Sequence, residues 1–368
     1  MITTVLLDLD DTLLGNPTQQ FVERYFAALG EHLSETVSGP LMRSVRAIMG
    51  PGDHTLTNSE RFFEALAPEL TIPREDFETT VSAFYREAFP ALREITTRRP
   101  TARRLVDTLI ARGYTVVVAT NPFFPREAVE QRLAWAGLPV DEVPFALVTH
   151  LENMHFVKEH PAYYEETLAR VGAAPHEAVM VGDDWLNDIV PAWQAGLHTY
   201  WLGTPGTEPN PPGPVQADGC GTLDDFARAA LDEGWLAQQA SRPLEPRQIG
   251  PRLAGTLAAL LGVVRERPRD DHAALLSGLA EREQAARTRL QAIASGESVL
   301  PLPTLEPAQD APDLRAAVTQ FAAERRATID WLDGLDGAAW REGLLREADA
   351  LAADDRAIIA RLSASQAD

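Results

Sequence analysis

"LLDLDDTLL", residues 6–14, sets Asp8, Asp10 and Asp11 into a run otherwise built of leucine and one threonine. Burying an unpaired carboxylate is costly or drives the group to its neutral form. Evenly spaced acids at the end of an apolar strand therefore point to a metal ion or a reaction. The alternative is a solvated strand end that happens to be acidic, and this stretch by itself leaves both open.

Outward from this stretch, short β-rich runs alternate with helical patterns. "TTVLLDL" (3–9), "YTVVVAT" (114–120), "PFALVTH" (144–150), "AVMVG" (178–182) and "HTYWL" (198–202) read as strands. Strands alternating with helices predict an α/β fold, a Rossmann-like parallel sheet with helices on both faces. Ligands of such sheets sit beyond the carboxyl ends of the strands, where the strand order reverses. One insertion breaks the rhythm. Asn16-Pro17 reads as a helix cap followed by a first-turn proline, and Phe21, Tyr25, Ala28, Leu29 and Leu33 recur at helical spacing. Further helical stretches at 59–67 and 74–88 complete a helical subdomain, a cap over about 15–95.

The 368 residues suit two domains. "SRPLEPRQIGP", residues 241–251, is the boundary. The first domain spans 1–240, with its core in 1–14 and 96–240, and the second spans 250–368. The second carries only helical stripes: Leu253, Leu257, Leu260 and Val264; Leu275, Leu279 and Leu290; Leu314, Val318, Phe321, Ile329 and Leu332; Leu344, Ala348, Leu351, Ile358 and Leu362. An all-α four-helix bundle follows.

A net charge of −21 argues against a broad nucleic-acid surface and leaves room for a local positive pocket. The single cysteine, Cys220, excludes an intrachain disulfide and a four-sulfur metal site. The chain opens directly into its first strand, and no apolar run approaches the roughly 20 residues that span a bilayer. A cytoplasmic protein without membrane contact is expected.

Three further stretches stand at strand ends. "ATNP" carries Thr120 and Asn121, "HFVKEHP" carries Lys158, and "VGDDWLND" carries Asp183, Asp184 and Asp188. With "DLDDTL", these four motifs resemble those of the haloacid-dehalogenase-like (HAD) superfamily in order, spacing and placement, over residues 1–238. The resemblance implies the fold, the helical cap and dependence on Mg²⁺. Its ligands would be the Asp8 carboxylate, the Asp10 carbonyl and Asp183, with Asp184 and Asp188 around them and either able to replace Asp183.

Asp8 is the candidate nucleophile, forming an aspartyl-phosphate. Asp10 is the candidate general acid and then base, and the chain is expected to turn at residues 9–11 so that both face the substrate. Carboxylates crowding a phosphate need a divalent cation, and Mg²⁺ suits oxygen ligands. Thr120, Asn121 and the backbone amides after Thr120 would hold phosphate oxygens, and Lys158 would neutralise nucleophile and phosphoryl group. Two positions depart from the family pattern: Glu159 follows Lys158 where proline is common, and Asp11 stands where glycine is frequent. Asp10 argues against dehalogenation, because halide leaves without a proton. The expected function is Mg²⁺-dependent hydrolysis of a small phosphorylated metabolite. The alternatives are a phosphomutase or phosphotransferase on the same site, and a non-catalytic regulatory or scaffold protein.

His150, His155 and His160 recur every five residues, which fits neither one helix face nor a metal spacing. Phe123 and Phe124 face either the substrate or the core. The C-terminal region resembles a DinB-like bundle, a family that binds metal through three histidines. The corresponding positions here are Gly278, Asp354 and Ile358, so a metal-free module for packing, dimerisation or partner binding is expected, with Trp331 and Trp340 in its core. Residues beyond about 240 are expected to be dispensable for the chemistry.

Overall fold

The computed structural model describes residues 1–33, 35–204, 206–207 and 215–364. Its strands are β1 Thr4–Leu7, β2 Leu14–Gly15, β3 Thr97–Arg98, β4 Thr115–Val118, β5 Leu147–Val148, β6 Ala178–Gly182, β7 His198–Trp201 and β8 Gly219–Cys220. Six form one sheet in the order β5-β4-β1-β6-β7-β8, each neighbouring pair parallel. The Rossmann-like parallel sheet is therefore present, with β1 at its centre. The chain runs one way from β1 through β4 to β5 and the other way through β6, β7 and β8. The carboxyl end of β1 is thus the switch point where ligands of such sheets bind.

The chain forms two compact units. The first comprises Met1–Glu159, His176–Trp193 and Leu197–Ser241, and the second His160–Pro175, Gln194–Gly196 and Arg242–Asp368. In the first unit the cap helices are α1 Thr18–Leu33, α2 Glu35–Met49, α3 Asn58–Leu66 and α4 Arg74–Glu87. Phe21, Tyr25, Leu29 and Leu33 of α1 are buried, as their spacing predicts. A reciprocal capping box between Thr57 and Glu60 starts α3. The chain enters and leaves the cap through β2 and β3, which pair antiparallel, Leu14 with Arg98 and Gly15 with Thr97. The helices that follow in chain order are α5 Pro100–Ala111, α6 Arg126–Ala136, α7 Pro161–Arg170, α8 Val190–Ala195, α9 Leu223–Leu231 and α10 Trp235–Gln238.

The second unit contains α7 with α11 Ile249–Glu266, α12 His272–Ser295, α13 Leu314–Asp333 and α14 Glu342–Ala364. The C-terminal region is all-helical, and the apolar stripes read from the sequence meet in its buried clusters. The helix begun by Pro161, which the sequence pattern groups with the sheet, packs in this unit. Every residue from Ala162 to Ala169 is buried. Glu165 of α7 is ion-paired with Arg356 of α14. A Cβ at Gly255 of α11 would lie 2.6 Å from the Ala162 carbonyl oxygen, so glycine is what admits this close approach of α11 and α7. A cut near residue 240 would leave α7 without the helices it is buried against in this unit. At its centre Arg325 bonds Asp355 at 2.6 and 3.3 Å and Glu283 at 2.9 Å, and Thr256 donates to Asp355 at 2.6 Å. Among the described residues, no helix is long and apolar enough to cross a membrane.

Candidate active site

The site begins where β1 ends. Leu7 pairs with Val118 on one side and Val181 on the other, and the Asp8 amide still donates to the Val181 carbonyl at 3.0 Å. The chain then tightens: the Leu9 carbonyl accepts the amides of Leu13 and Leu14 at 3.0 and 2.9 Å. Asp11 takes φ 55°, the left-handed region that aspartate tolerates better than most residues. This accounts for an acid where glycine is frequent. Its carboxylate accepts the Asn16 amide at 2.9 Å and lies 3.6 Å from Arg99. Residues two apart on a strand already share a face, so the turn is not needed to bring Asp8 and Asp10 to one side. Its effect is to give the two carboxylates different partners.

Asp8 meets Lys158. The ammonium donates to Asp8 Oδ1 at 2.5 Å and to Asp188 Oδ1 at 2.6 Å, with Lys158 only 2% exposed. Oxygens of Asp8, Asp183 and Asp188 all lie within 4.8 Å of one another. Asp188 reaches this position through a π-helical turn over Trp185–Ile189, a feature frequent at functional sites. Its second oxygen accepts the Asp184 amide at 3.1 Å. A Cβ at Gly182 would overlap the Asp188 carboxylate, so only glycine fits at the end of β6. Trp201 donates its indole N–H to the Asp183 carbonyl at 2.8 Å, and Thr12 lies 3.4 Å from Asp183 Oδ1.

These acids are under-neutralised. Burial pushes the Asp8 carboxyl up to about 8, with Lys158 pulling it back and Asp188 and Asp10 pushing it further. Burial, then the Asp8 charge, raises Asp183 to about 7. Burial raises Asp188 to about 6 against the pull of Lys158. Fully ionised, three carboxylates against one ammonium would leave two negative charges uncompensated in a low-dielectric pocket, and the upward shifts are the response to that deficit. Hard oxygen donors with that deficit fit a divalent cation such as Mg²⁺.

Asp10 points elsewhere. Asn16 Nδ2 donates to its Oδ1 at 2.8 Å and Arg132 Nη1 to its Oδ2 at 2.6 Å. The Asn16 side chain thus serves Asp10. Arg132 is fully buried, and its guanidinium carbon lies 4.3 Å from the Phe124 ring centre and 5.7 Å from that of Phe21. Its Nη2 is buried without a hydrogen-bond partner. Sequence reasoning missed Arg132, yet a signal was there. It sits in the buried stripe of α6 with Ala128, Val129, Leu133 and Ala136, and an arginine on such a stripe demands an acid.

Thr120 is buried at the end of β4, and its carbonyl accepts the Thr149 hydroxyl at 2.8 Å. Asn121 Oδ1 accepts the Lys158 amide at 3.4 Å. Asp184 is diverted from the acid cluster: it caps the π-turn by accepting the amides of Leu186 and Asn187 at 2.9 and 3.1 Å. His150 bonds Glu152 at 2.8 Å, His155 is buried, and His160 caps α7 by accepting the Ala162 amide at 3.1 Å. Phe123 and Phe124 are half-buried against the core. In the bundle Asp354 pairs with Arg282 and Ile358 is core. Trp331 and Trp340 pack against the second apolar cluster.

A parallel sheet with a helical insertion after its central first strand, and acids from two strand ends around a buried lysine, defines a capped Rossmann-like α/β domain. The chain matches the family described as haloacid dehalogenase-like hydrolase over residues 2–196, more than half its length, and belongs to that family. It is similar to "Pyrophosphatase PpaX" of Bacillus pumilus (strain SAFR-032), 30% identical over 199 residues, 54% of this chain and 82% of that protein. The protein of the same name from Anoxybacillus flavithermus (strain DSM 21510 / WK1) is 30% identical over 198 residues, with the same coverage. Among solved structures, a HAD phosphatase from Thermococcus onnurineus aligns at TM-score 0.41 and 21% identity over 63% of this chain and 98% of that one. A 2-haloacid dehalogenase from Pseudomonas syringae pv. Tomato DC3000 aligns at TM-score 0.43 and 22% identity, covering 64% and 100%.

Proposed function

We propose that this enzyme hydrolyses a small phosphomonoester with the help of Mg²⁺, through an aspartyl-phosphate on Asp8. The observation that carries the reading is the under-neutralised cluster of Asp8, Asp183 and Asp188 around Lys158 at the switch point of the sheet. In the first step an Asp8 carboxylate oxygen attacks phosphorus, the bond from phosphorus to the leaving oxygen breaks, and Asp10 gives that oxygen a proton. In the second step Asp10 takes a proton from water as the water oxygen attacks phosphorus, and the bond to Asp8 breaks to release phosphate. Lys158 holds charge on Asp8 and on the phosphoryl oxygens, and Thr120 and Asn121 orient those oxygens. Asp8, Asp183 and Asp188 would hold the cation, which supplies positive charge against the phosphate when bound. Both Asp10 oxygens accept hydrogen bonds here, so its proton transfers require release from Asn16 or Arg132. The same attack would cleave the phosphoanhydride that the PpaX name implies for those relatives. A halide needs no acid to leave, so Asp10 has no task in dehalogenation.

The test is turnover of para-nitrophenyl phosphate and of pyrophosphate with Mg²⁺, after chelation, and after Mg²⁺ is restored. Metal-dependent ester turnover with free phosphate as product supports the reading. Transfer of the phosphoryl group to an added sugar phosphate would make it a phosphotransferase, and no turnover of either compound would overturn it.

A further inference from the structure

A cavity of about 830 Å³ lies between the cap helices and core residues 123–130 and 151–152, within the usual range of about 300–1,000 Å³ for small-molecule sites. Its wall is dominated by apolar side chains, among them Phe26, Leu41, Val45, Phe62, Phe77 and Phe124. Arg74 and Arg126 reach it, but each is answered by an acid that also lines it. Arg74 bonds Glu78 at 2.8 Å and lies over the Phe63 ring at 4.0 Å, and Arg126 bonds Glu130 at 2.6 Å. Glu127 and Glu152 add further negative charge to the lining. Such a chamber gains from apolar groups and repels anions.

The cavity is tied to the proposed chemistry by one ring. Phe123 and Phe124 line it and follow closely on Asn121. The Phe124 ring also carries the guanidinium of Arg132, which holds Asp10 at 2.6 Å. Through Phe124 and Arg132 the cavity wall is thus connected to the residue that would protonate the leaving group.

We propose that the cap cavity receives the uncharged, apolar alcohol portion of the phosphomonoester. The proposal deepens the phosphatase reading above and rests on it. An apolar body is favoured by the aromatic and aliphatic wall, and an uncharged one by the surplus of acids. Pyrophosphate, whose leaving group is itself an anion, is a poor match for this lining.

The test is a series of n-alkyl phosphates from ethyl to octyl, whose leaving-group chemistry is nearly constant, assayed on the full chain with Mg²⁺ beside pyrophosphate. Each methylene that enters an apolar site contributes up to about a fourfold gain in kcat/KM. The expected result is a rise of at least about 30-fold from ethyl to hexyl phosphate, with pyrophosphate below hexyl phosphate. Phe26→Gln and Val45→Gln, tested separately at half-buried positions and checked for folding by circular dichroism, should each flatten that gradient. Ester turnover with no dependence on chain length, or gradients unchanged in both folded variants, would overturn the proposal while leaving the phosphatase reading in place. No ester turnover at all would overturn both.

Discussion

Each compact unit holds, among the described residues, a cluster of buried acids around one base. In the sheet unit Lys158 faces Asp8 and Asp188, with Asp183 beside them. In the bundle Arg325 bonds Glu283 and Asp355, and Thr256 supplies a further donor to Asp355. Both are almost fully buried, and both are built from acids around one base. The difference lies in balance and geometry. A planar guanidinium with several donors takes two carboxylates at once, and the neighbouring acids hold Arg325 above the usual arginine range once its own burial cost is offset. The compact ammonium of Lys158 leaves two charges over, and all three acids around it are pushed upward. Buried acids therefore do not mark a reactive centre by themselves. What separates the two is the size of the deficit of positive charge: two carboxylates beyond the lysine, one beyond the arginine.

The largest expected effect that tests this contrast is Asp8→Asn. Turnover should fall by at least about 10⁴-fold, because an amide is too poor a nucleophile. Thermal unfolding without metal should occur no lower than in the wild type, since the change removes a costly buried charge. Activity within tenfold of wild type would mean that another group attacks.

Removing the base from each cluster sharpens the comparison. Lys158→Met should lower kcat by about 10²–10³-fold and lower the melting temperature of the metal-free protein, with Mg²⁺ recovering part of that loss. Arg325→Met should cost about 3–5 kcal/mol of stability by leaving two buried carboxylates unpaired. Mg²⁺ should recover none of it. Melting curves with and without Mg²⁺ read both variants, and equal recovery would erase the distinction.

Within the motif that follows β6, Asp183 and Asp184 should separate. Asp183→Ala should raise the Mg²⁺ concentration for half-maximal activity by more than about 100-fold, and Asp184→Ala by less than about tenfold. Asp184 is engaged in capping the π-turn, so its loss should cost mainly about 1 kcal/mol of stability. An equal or reversed order in metal titrations would reassign the ligands. The smallest change is Gly182→Ala. The added methyl must displace the Asp188 carboxylate, costing about 1–3 kcal/mol and loosening the hold on Lys158. An unchanged melting temperature and unchanged activity would show that Asp188 has room the structure denies it.

Strands long enough to carry an apolar run could be read from the sequence. β1, β4, β6 and β7 fall inside the stretches expected for them, as does the short β5, and the acids that follow β1 and β6 announced the crevice. β2, β3 and β8 are two residues each, too short for any periodicity, and β8 sits among glycines. α2 was not visible either, because Gly39-Pro40 lies inside it and that pair normally ends a helix. Charges hidden on apolar stripes were the larger omission. Arg132 on α6, Glu283 on α12, Arg325 on α13 and Asp355 on α14 occupy helical positions that the pattern assigns to leucine or alanine. Their partners are distant in sequence, so spacing could flag each as anomalous without naming what it meets. Asp8 was legible because it follows directly on a strand, and Lys158 and Asp188 because the motifs around them had a chemical reading before any contact was known.

The central claim is that Asp8 carries the phosphoryl group. The direct measurement is to quench the wild-type enzyme during turnover of para-nitrophenyl phosphate with Mg²⁺, reduce with borohydride, and map the digest by mass spectrometry. An aspartyl-phosphate is reduced to homoserine, and the account predicts that conversion at residue 8, only when substrate and Mg²⁺ are both present. Active turnover with residue 8 recovered as unmodified aspartate, or conversion at Asp183 or Asp188 instead, would contradict it.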